Sequence, residues 1–399
     1  MEETQTKQGI RRLVWPIIRV TAVLLGLAHF IIGGVQLAKE FGRSDSDMII
    51  GGDFAVYYAA GEAALEGAAS QAYDSEKFLQ REQKFAGKKL TQLDWHYPPS
   101  MFFLVLPTQF FDFLNAKIVW AAMGMVFLFA ALRSVFPGHL WLVLLILISP
   151  SAIHNIYAGQ NGLIIAAIAV LGLANIERRP IFAGIMIGLL TVKPHLGVMI
   201  PLALVAGGHW RVFAAAAATS VFLLISSALF FGFDSWLAFI SNSLQGANLA
   251  AEGMRALWFK MPTVYAGARQ LGLPSDGAWI AQALATLFVA IVIIKTWSSE
   301  GDQRWKVSLL LLSTTLIIPY AQFYDLVMIM PAYAWALLAL GHVRFPQLSE
   351  GLIILAYLSP AFLLLPMHES HTVFVWAGLF LLLFILFWRE YLHPRLFRG

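Results

Sequence analysis

The chain has 399 residues, of which 59% are hydrophobic and 13% are charged, and its mean hydropathy is +0.71. A soluble domain is nearer half apolar and a quarter charged, so this composition excludes a soluble enzyme or a disordered chain and indicates an integral membrane protein. The net charge of +4 comes from scattered basic residues, which suggests no nucleic-acid partner, and the absence of cysteine excludes disulfides and thiolate chemistry.

Continuous apolar runs predict transmembrane helices. The first, from about Val20 to Ala38, is too long for the core of a signal peptide, so we interpret it as a retained helix. Several of the later runs are shorter than the roughly 20 residues of a full crossing. They lie at 115–136, 139–156, 161–176, 180–193, 195–207, 210–232, 278–298, 306–320, 324–342, 350–366 and 371–391. The pattern predicts an all-α polytopic membrane protein with about twelve transmembrane helices and a single integral membrane domain over residues 1–399.

The distribution of basic residues predicts the orientation in the membrane. If the N-terminus is cytoplasmic, more than half of the Lys and Arg residues fall on the inner side, and the short outer loops at 157–160, 321–323 and 367–370 contain none. Short cytoplasmic loops carry an excess of basic residues. We therefore expect both termini to be cytoplasmic, in the inner (plasma) membrane.

This orientation places two long polar stretches outside, at 39–114 and 233–277. The first is expected to contain helices, one of them beginning at Asp74-Ser75-Glu76 because acidic and hydroxyl residues mark helix starts. Segment 98–112 is apolar but short and bounded by prolines. Counting it as a span would invert every later loop, so we interpret it as a helix in the outer interface.

Asp53 follows two glycines shortly after the first helix, which gives this carboxylate a bendable backbone at the membrane surface. It is a candidate catalytic acid or base, and the alternative is an N-cap for a helix that starts at Phe54. His96 and Tyr97, before a double proline, are candidates for hydrogen bonds to a polar ligand or for an aromatic belt at the interface.

Gln160 and Asn161 lie in a polar turn between two predicted helices. Amides donate and accept at once, which suits recognition of hydroxyl groups, although Asn161 is also a candidate helix cap. A similar outer junction contains Tyr324 and Asp325, and Asp325 is again a candidate cap.

Lys193, in Lys193-Pro194-His195, lies between two apolar segments with no carboxylate within several residues. A lysine costs roughly 2.5–3.5 kcal/mol at the centre of a membrane helix, so its charge must be compensated. An anionic ligand such as a lipid phosphate would do so, and snorkelling to the interface is the alternative. The sequence has no His, Asp and Glu spacing typical of a metal site and no Gly-rich nucleotide loop, so we expect no metal and no cofactor.

The order of these motifs resembles glycosyltransferase family 87, within the GT-C class of membrane glycosyltransferases. The resemblance extends over about residues 50–210, with weaker support at 319–331. It rests on the following residues: Asp53 with Tyr57 and Tyr58, Tyr73-Asp74, Tyr97-Pro98-Pro99, Gly159-Gln160-Asn161-Gly162, and Gly184 to Leu190 leading into Lys193-Pro194. Characterised members include a polyprenyl-phosphate-mannose-dependent alpha-1,2-mannosyltransferase, and the chain departs from that pattern at Tyr324-Asp325, where a histidine is expected.

The resemblance implies a GT-C-like helical bundle and transfer of a hexose, mannose foremost, from a polyprenyl-phosphate donor to a lipid or glycan hydroxyl on the extracytoplasmic face. Asp53 would be the general base, while Lys193 with His195 or His96 would stabilise the phosphate leaving group. The alternative is a secondary transporter or flippase, which commonly has twelve spans and cytoplasmic termini. Transporters are often built from two related halves, and the halves of this sequence look dissimilar.

Overall fold

A computed structural model describes residues 52–87, 90, 93–253, 258, 260–339, 346–364 and 373–392, and seven residues of the predicted first helix. Those seven residues are helical: Val20, Val23, Leu24, Leu27, Ala28, Ile31 and Val35. Every regular element in the described residues is a helix, which confirms the predicted all-α class. The predicted span boundaries also agree closely with the observed helices, because apolar runs end where polar residues, glycine or proline interrupt them.

The α-helices are numbered in chain order. They are α1 (Phe54–Leu65), α2 (Ser75–Ala86), α3 (Phe102–Val105), α4 (Phe113–Val135), α5 (Leu140–Leu147), α6 (Pro150–Ala158), α7 (Gly162–Ala174), α8 (Pro180–Leu189), α9 (Met199–Ala206), α10 (Trp210–Phe231), α11 (Phe233–Gly253), α12 (Val264–Gln270), α13 (Ser275–Trp297), α14 (Gln303–Ile317), α15 (Met330–Ala339), α16 (Pro346–Leu358) and α17 (Val373–Leu392).

Three of these helices, α4, α10 and α13, are long and apolar enough to cross a membrane. A fourth candidate span results if α5 and α6, bent by 43° at a short break, count as one. Most of the other apolar helices in the described residues are shorter than a full crossing, so the expected count of about twelve is not confirmed. Prolines explain some of the shortening, because Pro150 and Pro194 cannot donate a backbone hydrogen bond and each begins a new helical turn.

Segment 98–112, predicted to be an interfacial helix, is not one continuous helix. It consists of a 3-10 turn at Pro99–Met101, helix α3 and a second 3-10 turn at Leu106–Phe110. Gln109 Nε2 donates to the Tyr58 carbonyl oxygen at 2.9 Å, so the segment packs against α1. The prolines that bound it also interrupt the backbone hydrogen bonds that a single helix would need.

The polar stretch at 233–277 was predicted to be a long loop, and it contains more helix than expected. Helix α11 takes up 21 of its residues, and α12 and the start of α13 follow. Which side of the membrane this stretch and the segment at 39–114 face remains a prediction from the charge distribution.

Two glycines allow helices α8 and α10 to pack closely. Gly184 and Gly188 lie one turn apart on α8, as in the small-residue stripes of membrane helix pairs. A Cβ at Gly188 would lie 2.5 Å from Thr219 Cβ and 2.7 Å from the Ala216 carbonyl oxygen. A Cβ at Gly184 would collide with Ala215. The α8–α10 contact therefore depends on residues without a side chain.

Gly188→Ala should destabilise the protein by roughly 1–3 kcal/mol, the usual cost of overpacking. The measurement is the midpoint of thermal unfolding in detergent. The matched control is Gly378→Ala on α17, where an added Cβ meets no atom within 4 Å, so the higher helix propensity of alanine should leave stability unchanged or raised. Equal midpoints for the two variants would contradict close packing of α8 on α10.

Candidate functional site

Asp53 lies at the start of α1, next to the turn between α6 and α7. Gly52 and Gly159 both have positive φ, at 58° and 72°, and a Cβ at Gly159 would lie 2.5 Å from Phe54 Cβ. Glycine is therefore required where the two turns meet. The Asp53 side chain makes no hydrogen bond to the start of α1, and it accepts one from Gln160 Nε2 at 2.8 Å. The alternative that Asp53 acts as a helix cap through its side chain is thus wrong.

Gln160 is buried and holds Asp53 through a network of aromatic side chains. Its Oε1 accepts a hydrogen bond from the Tyr57 hydroxyl at 2.6 Å and a longer one from the Tyr97 hydroxyl at 3.3 Å. The two tyrosine hydroxyls are 2.5 Å apart, and the Gln160 carbonyl oxygen accepts from Trp120 Nε1 at 3.2 Å. Because Oε1 faces hydroxyl donors, the amide NH₂ must face the carboxylate. Gln160 therefore orients Asp53.

The charge of Lys193 is compensated within the protein. Lys193 Nζ lies 2.6 Å from Asp325 Oδ1, and the two side chains are 4% and 7% exposed. The sequence suggested an external anion in this role, because the two residues are 132 positions apart and the pairing is not visible along the chain. The other Asp325 oxygen accepts from the Gln322 backbone amide at 3.1 Å in a capping box whose N-cap is Gln322, so Asp325 is not the N-cap that the sequence suggested. Asp325 therefore takes part in the capping box and also pairs with Lys193.

Asn161 connects the ion pair to the Gln160 turn. Its Oδ1 accepts from Lys193 Nζ at 3.2 Å, and its side chain does not cap α7, so the capping alternative is wrong. Its buried Nδ2 has no hydrogen-bond partner in the described part of the chain. An unpaired buried amide costs roughly 1–3 kcal/mol, so this donor lacks the hydrogen bond that burial normally requires.

The remaining predicted residues lie around the ion pair. Lys193 Nζ is 5.9 Å from the centre of the Tyr97 ring and 5.7 Å from that of Tyr324, close enough for cation–π attraction. His195 is half-buried, with its ring centre 5.6 Å from that of Tyr320. His96 is exposed and lies near enough to influence the ionisation of His195. The structure thus brings all nine predicted residues into one region.

The environment of Asp53 raises its pKa above the ordinary aspartate value of 3.8. Desolvation is the main cause, and the Gln160 hydrogen bond opposes it, as do the charges of Lys260, Lys193 and Lys117. The sequence analysis did not identify Lys260 or Lys117. Lys117 lies in an apolar helix, so the argument applied to Lys193 would also have found it. Lys260 lies in a polar stretch where nothing in the sequence distinguishes it.

Glu82 on α2 is a further buried carboxyl group near this site. It is 0% exposed, and neither carboxyl oxygen has a hydrogen-bond partner among the described residues. Desolvation raises the pKa of Glu82 to about 8, and the negative charges of Asp94 and Asp53 add to the effect. Glu82 is therefore protonated in the folded protein at neutral pH, whereas in the unfolded chain it is ionised.

Glu82→Gln should make stability less dependent on pH. In the wild type the folded state binds a proton that the unfolded state releases above about pH 4.5, so stability falls by about 1.4 kcal/mol per pH unit up to about pH 8. Glutamine does not titrate, so the variant should not lose this stability as the pH rises. Unfolding midpoints of both proteins between pH 5 and 8 provide the measurement, and parallel pH curves would show that Glu82 is ionised in the folded state.

Breaking the buried ion pair should cost more than replacing it. Asp325→Asn leaves the Lys193 charge without its partner and should destabilise the protein by about 3–5 kcal/mol. The double variant Lys193→Met with Asp325→Asn contains no buried charge and should recover a large part of that loss. Thermal unfolding of the wild type, both single variants and the double variant gives the coupling. Additive losses would contradict a direct interaction between the two side chains.

The comparison with known proteins identifies a family and covers six of the nine candidate residues, with Asp53, Tyr324 and Asp325 outside the match. The sequence model for glycosyltransferase family 87 matches residues 95–319, which include His96, Tyr97, Gln160, Asn161, Lys193 and His195. No curated protein and no solved structure matches the chain. The matched region is more than half of the chain, and the helices long enough to cross a membrane lie within it. The chain therefore belongs to glycosyltransferase family 87 and is a membrane glycosyltransferase.

Proposed function

We propose that the protein transfers a hexose from a polyprenyl-phosphate donor to a hydroxyl group of a lipid or glycan acceptor. Mannose is the sugar that the sequence resemblance favours. The observation that carries the proposal is a half-buried carboxylate, Asp53, that accepts a hydrogen bond from Gln160 and is influenced by the charges of three lysines, in a membrane glycosyltransferase. This arrangement supplies a base for the acceptor and positive charge for a phosphate leaving group.

Asp53 acts as the general base in this proposal. Desolvation raises its pKa, which makes the carboxylate a stronger base than an exposed aspartate. Gln160 occupies one carboxylate oxygen, Oδ2, and fixes the direction of the other. The acceptor hydroxyl loses its proton to Asp53 as its oxygen attacks the anomeric carbon of the donor. The bond from that carbon to the phosphate oxygen breaks, so a single displacement inverts the anomeric configuration and releases polyprenyl phosphate.

Cationic and amide side chains stabilise the leaving phosphate. The positive charges of Lys117, Lys193 and Lys260 act on Asp53, and Lys193 is paired with Asp325. Positive charge in this region would stabilise a phosphate monoester as it leaves. An ammonium group has three donors, and Lys193 uses two of them on Asp325 and Asn161. The third, with Asn161 Nδ2, is a donor for the phosphate, and the proposal includes no metal ion or cofactor.

Aromatic and imidazole side chains complete the proposed substrate site. The ring centres of Tyr97 and Tyr324 lie 5.9 Å and 5.7 Å from the Lys193 ammonium, and the charge of Lys193 acts on His195, as does that of His96. Hydroxyl and imidazole groups both donate and accept hydrogen bonds, as recognition of sugar hydroxyls requires. We assign these four residues to substrate binding.

The charge distribution supports an extracytoplasmic site in the inner membrane, with both termini cytoplasmic. Sugar nucleotides are not available on that face, which favours a lipid-linked donor. A secondary transporter or flippase was the alternative function. Membership of a glycosyltransferase family supports the enzyme, and we retain flipping only as an outcome that the following experiment would detect.

The test uses purified protein in lipid nanodiscs, radiolabelled polyprenyl-phosphate mannose and a total membrane lipid extract. We expect labelled product from the wild type. Asp53→Asn should lower the rate by about 10²–10⁴-fold, because asparagine still accepts the Gln160 hydrogen bond and cannot take a proton. The matched control is Asp74→Asn. Asp74 is exposed and caps α2 by accepting from the Lys77 amide, a role that asparagine fills equally well.

Two results would overturn the proposal. Transfer from sugar nucleotides with none from the lipid-linked donor would exclude the proposed donor. Transfer by folded Asp53→Asn within a few-fold of the wild type would assign the base to another residue. Movement of labelled lipid across a liposome membrane without product would instead support the flippase alternative.

A further inference from the structure

A groove lies on the surface of α4, and one residue of α6 also lines it. Its volume is about 220 Å³. A cavity of roughly 150 Å³ holds a benzene molecule, so the groove is large enough for a short branched hydrocarbon segment. One lysine and five apolar residues line it: Lys117, Ile118, Ala121, Ala122, Met125 and Ile156.

The groove is amphipathic along its length. Lys117 is in the second turn of α4, and the α4 residues that follow it in the lining extend to Met125, eight positions further along. At 1.5 Å per residue these eight positions correspond to about 12 Å along the helix axis. The charge is therefore at one end, and the rest of the lining is apolar.

The charged end of the groove adjoins the candidate site. Lys117 is 1% exposed, its Nζ lies 5.8 Å from the centre of the Tyr157 ring, and its charge acts on Asp53. Tyr157 is three residues before Gln160, at the end of α6. A phosphate held near Lys117 would thus be close to the carboxylate that we propose as the general base.

The apolar part of the groove faces outward from a candidate membrane span. Ile118 is 47% exposed, Ala122 is also exposed, and both lie on α4, one of the helices able to cross a membrane. In a bilayer the neighbouring material is hydrocarbon, so a chain can enter the groove sideways without leaving the apolar phase.

We infer that this groove binds the first isoprene units of the polyprenyl-phosphate donor, with Lys117 near its phosphate. The inference rests on the proposed function, because it assigns a place to the lipid part of that donor. A polyprenyl phosphate has its charge at one end and a branched chain behind it, in the same order as the lining of the groove.

In this inference the groove positions the donor and adds little to the affinity for it. Lipid tails are as apolar as the groove lining, so moving the chain from bilayer to groove gains little from the hydrophobic effect. A chain fixed in the groove limits the orientations of the attached phosphate and sugar, which favours attack at the anomeric carbon. Filling the groove should therefore lower kcat/KM for donors with a long chain.

Photolabelling of the wild type tests the location directly. The probe is a polyprenyl phosphate with a diazirine in its second isoprene unit, and labelled peptides are identified by mass spectrometry. We expect label within residues 118–125 or on Ile156, and competition by unlabelled polyprenyl phosphate. Label confined to other helices, or competition by a diacyl phospholipid alone, would overturn the assignment.

Variants of α4 residues test how binding of the polyprenyl chain in the groove affects sugar transfer. Ala122→Trp should abolish the label and lower kcat/KM for the long-chain donor by about tenfold or more, and the loss should be smaller for a donor with a single isoprene unit, which extends less far along the groove. The matched control is Ala130→Trp, at an exposed alanine two turns further along α4 and outside the groove. Equal kcat/KM for Ala122→Trp and Ala130→Trp with the long-chain donor would overturn the inference.

A charge variant separates the two ends of the groove. Lys117→Gln should weaken inhibition by polyprenyl phosphate about tenfold and leave inhibition by the corresponding alcohol unchanged. Equal effects on both inhibitors would show that Lys117 does not interact with the phosphate. If the wild type transfers no sugar from any lipid-linked donor, the proposed function fails. Normal transfer with no label in the groove contradicts only the assignment of the polyprenyl chain to this groove.

Discussion

A lysine buried among apolar helices needs a counter-charge, and Asp325 supplies it for Lys193 at 2.6 Å. Either charge alone would be expensive in this environment, so the junction before α9 and the turn that precedes α15 must come together. Asn161 accepts from the same ammonium group, which adds the turn between α6 and α7. One electrostatic requirement thus fixes three segments that are far apart in the sequence, and the candidate site forms where they meet.

Around Asp53 the site is held together by hydrogen bonds from neutral side chains. Tyr57 donates to Gln160, and Gln160 donates to Asp53, so the direction of each bond determines the next. Burial makes such a chain stronger than it would be in water, and it also makes an unpaired member costly. Gln160 and Asn161 are adjacent in sequence, so Asp53 and the ion pair are held by neighbouring residues of one turn. That proximity suits the proposed reaction, in which the acceptor hydroxyl loses its proton while the phosphate leaves the anomeric carbon.

The sequence predicted the helices well because apolar runs and their interruptions are local properties. It did not predict how all the helices divide, since Pro150 splits the run at 139–156 into two helices that are each shorter than a crossing. It also identified Asp53, Gln160, Lys193 and Asp325 as individual candidates. The pairing of Lys193 with Asp325 depends on tertiary contact, and neither composition nor spacing encodes it. Glu82 was missed because its helix has an ordinary amphipathic pattern, and only burial distinguishes it from an exposed glutamate.

The central claim is that Asp53, oriented by Gln160, removes the acceptor proton. The most direct test is the pH dependence of kcat/KM for sugar transfer by the wild type and by Gln160→Leu. The Gln160 hydrogen bond lowers the pKa of Asp53, so its loss should raise that pKa and move the acidic limb of the profile to higher pH. An acidic limb at the same pH in both proteins would show that the titrating base is not Asp53.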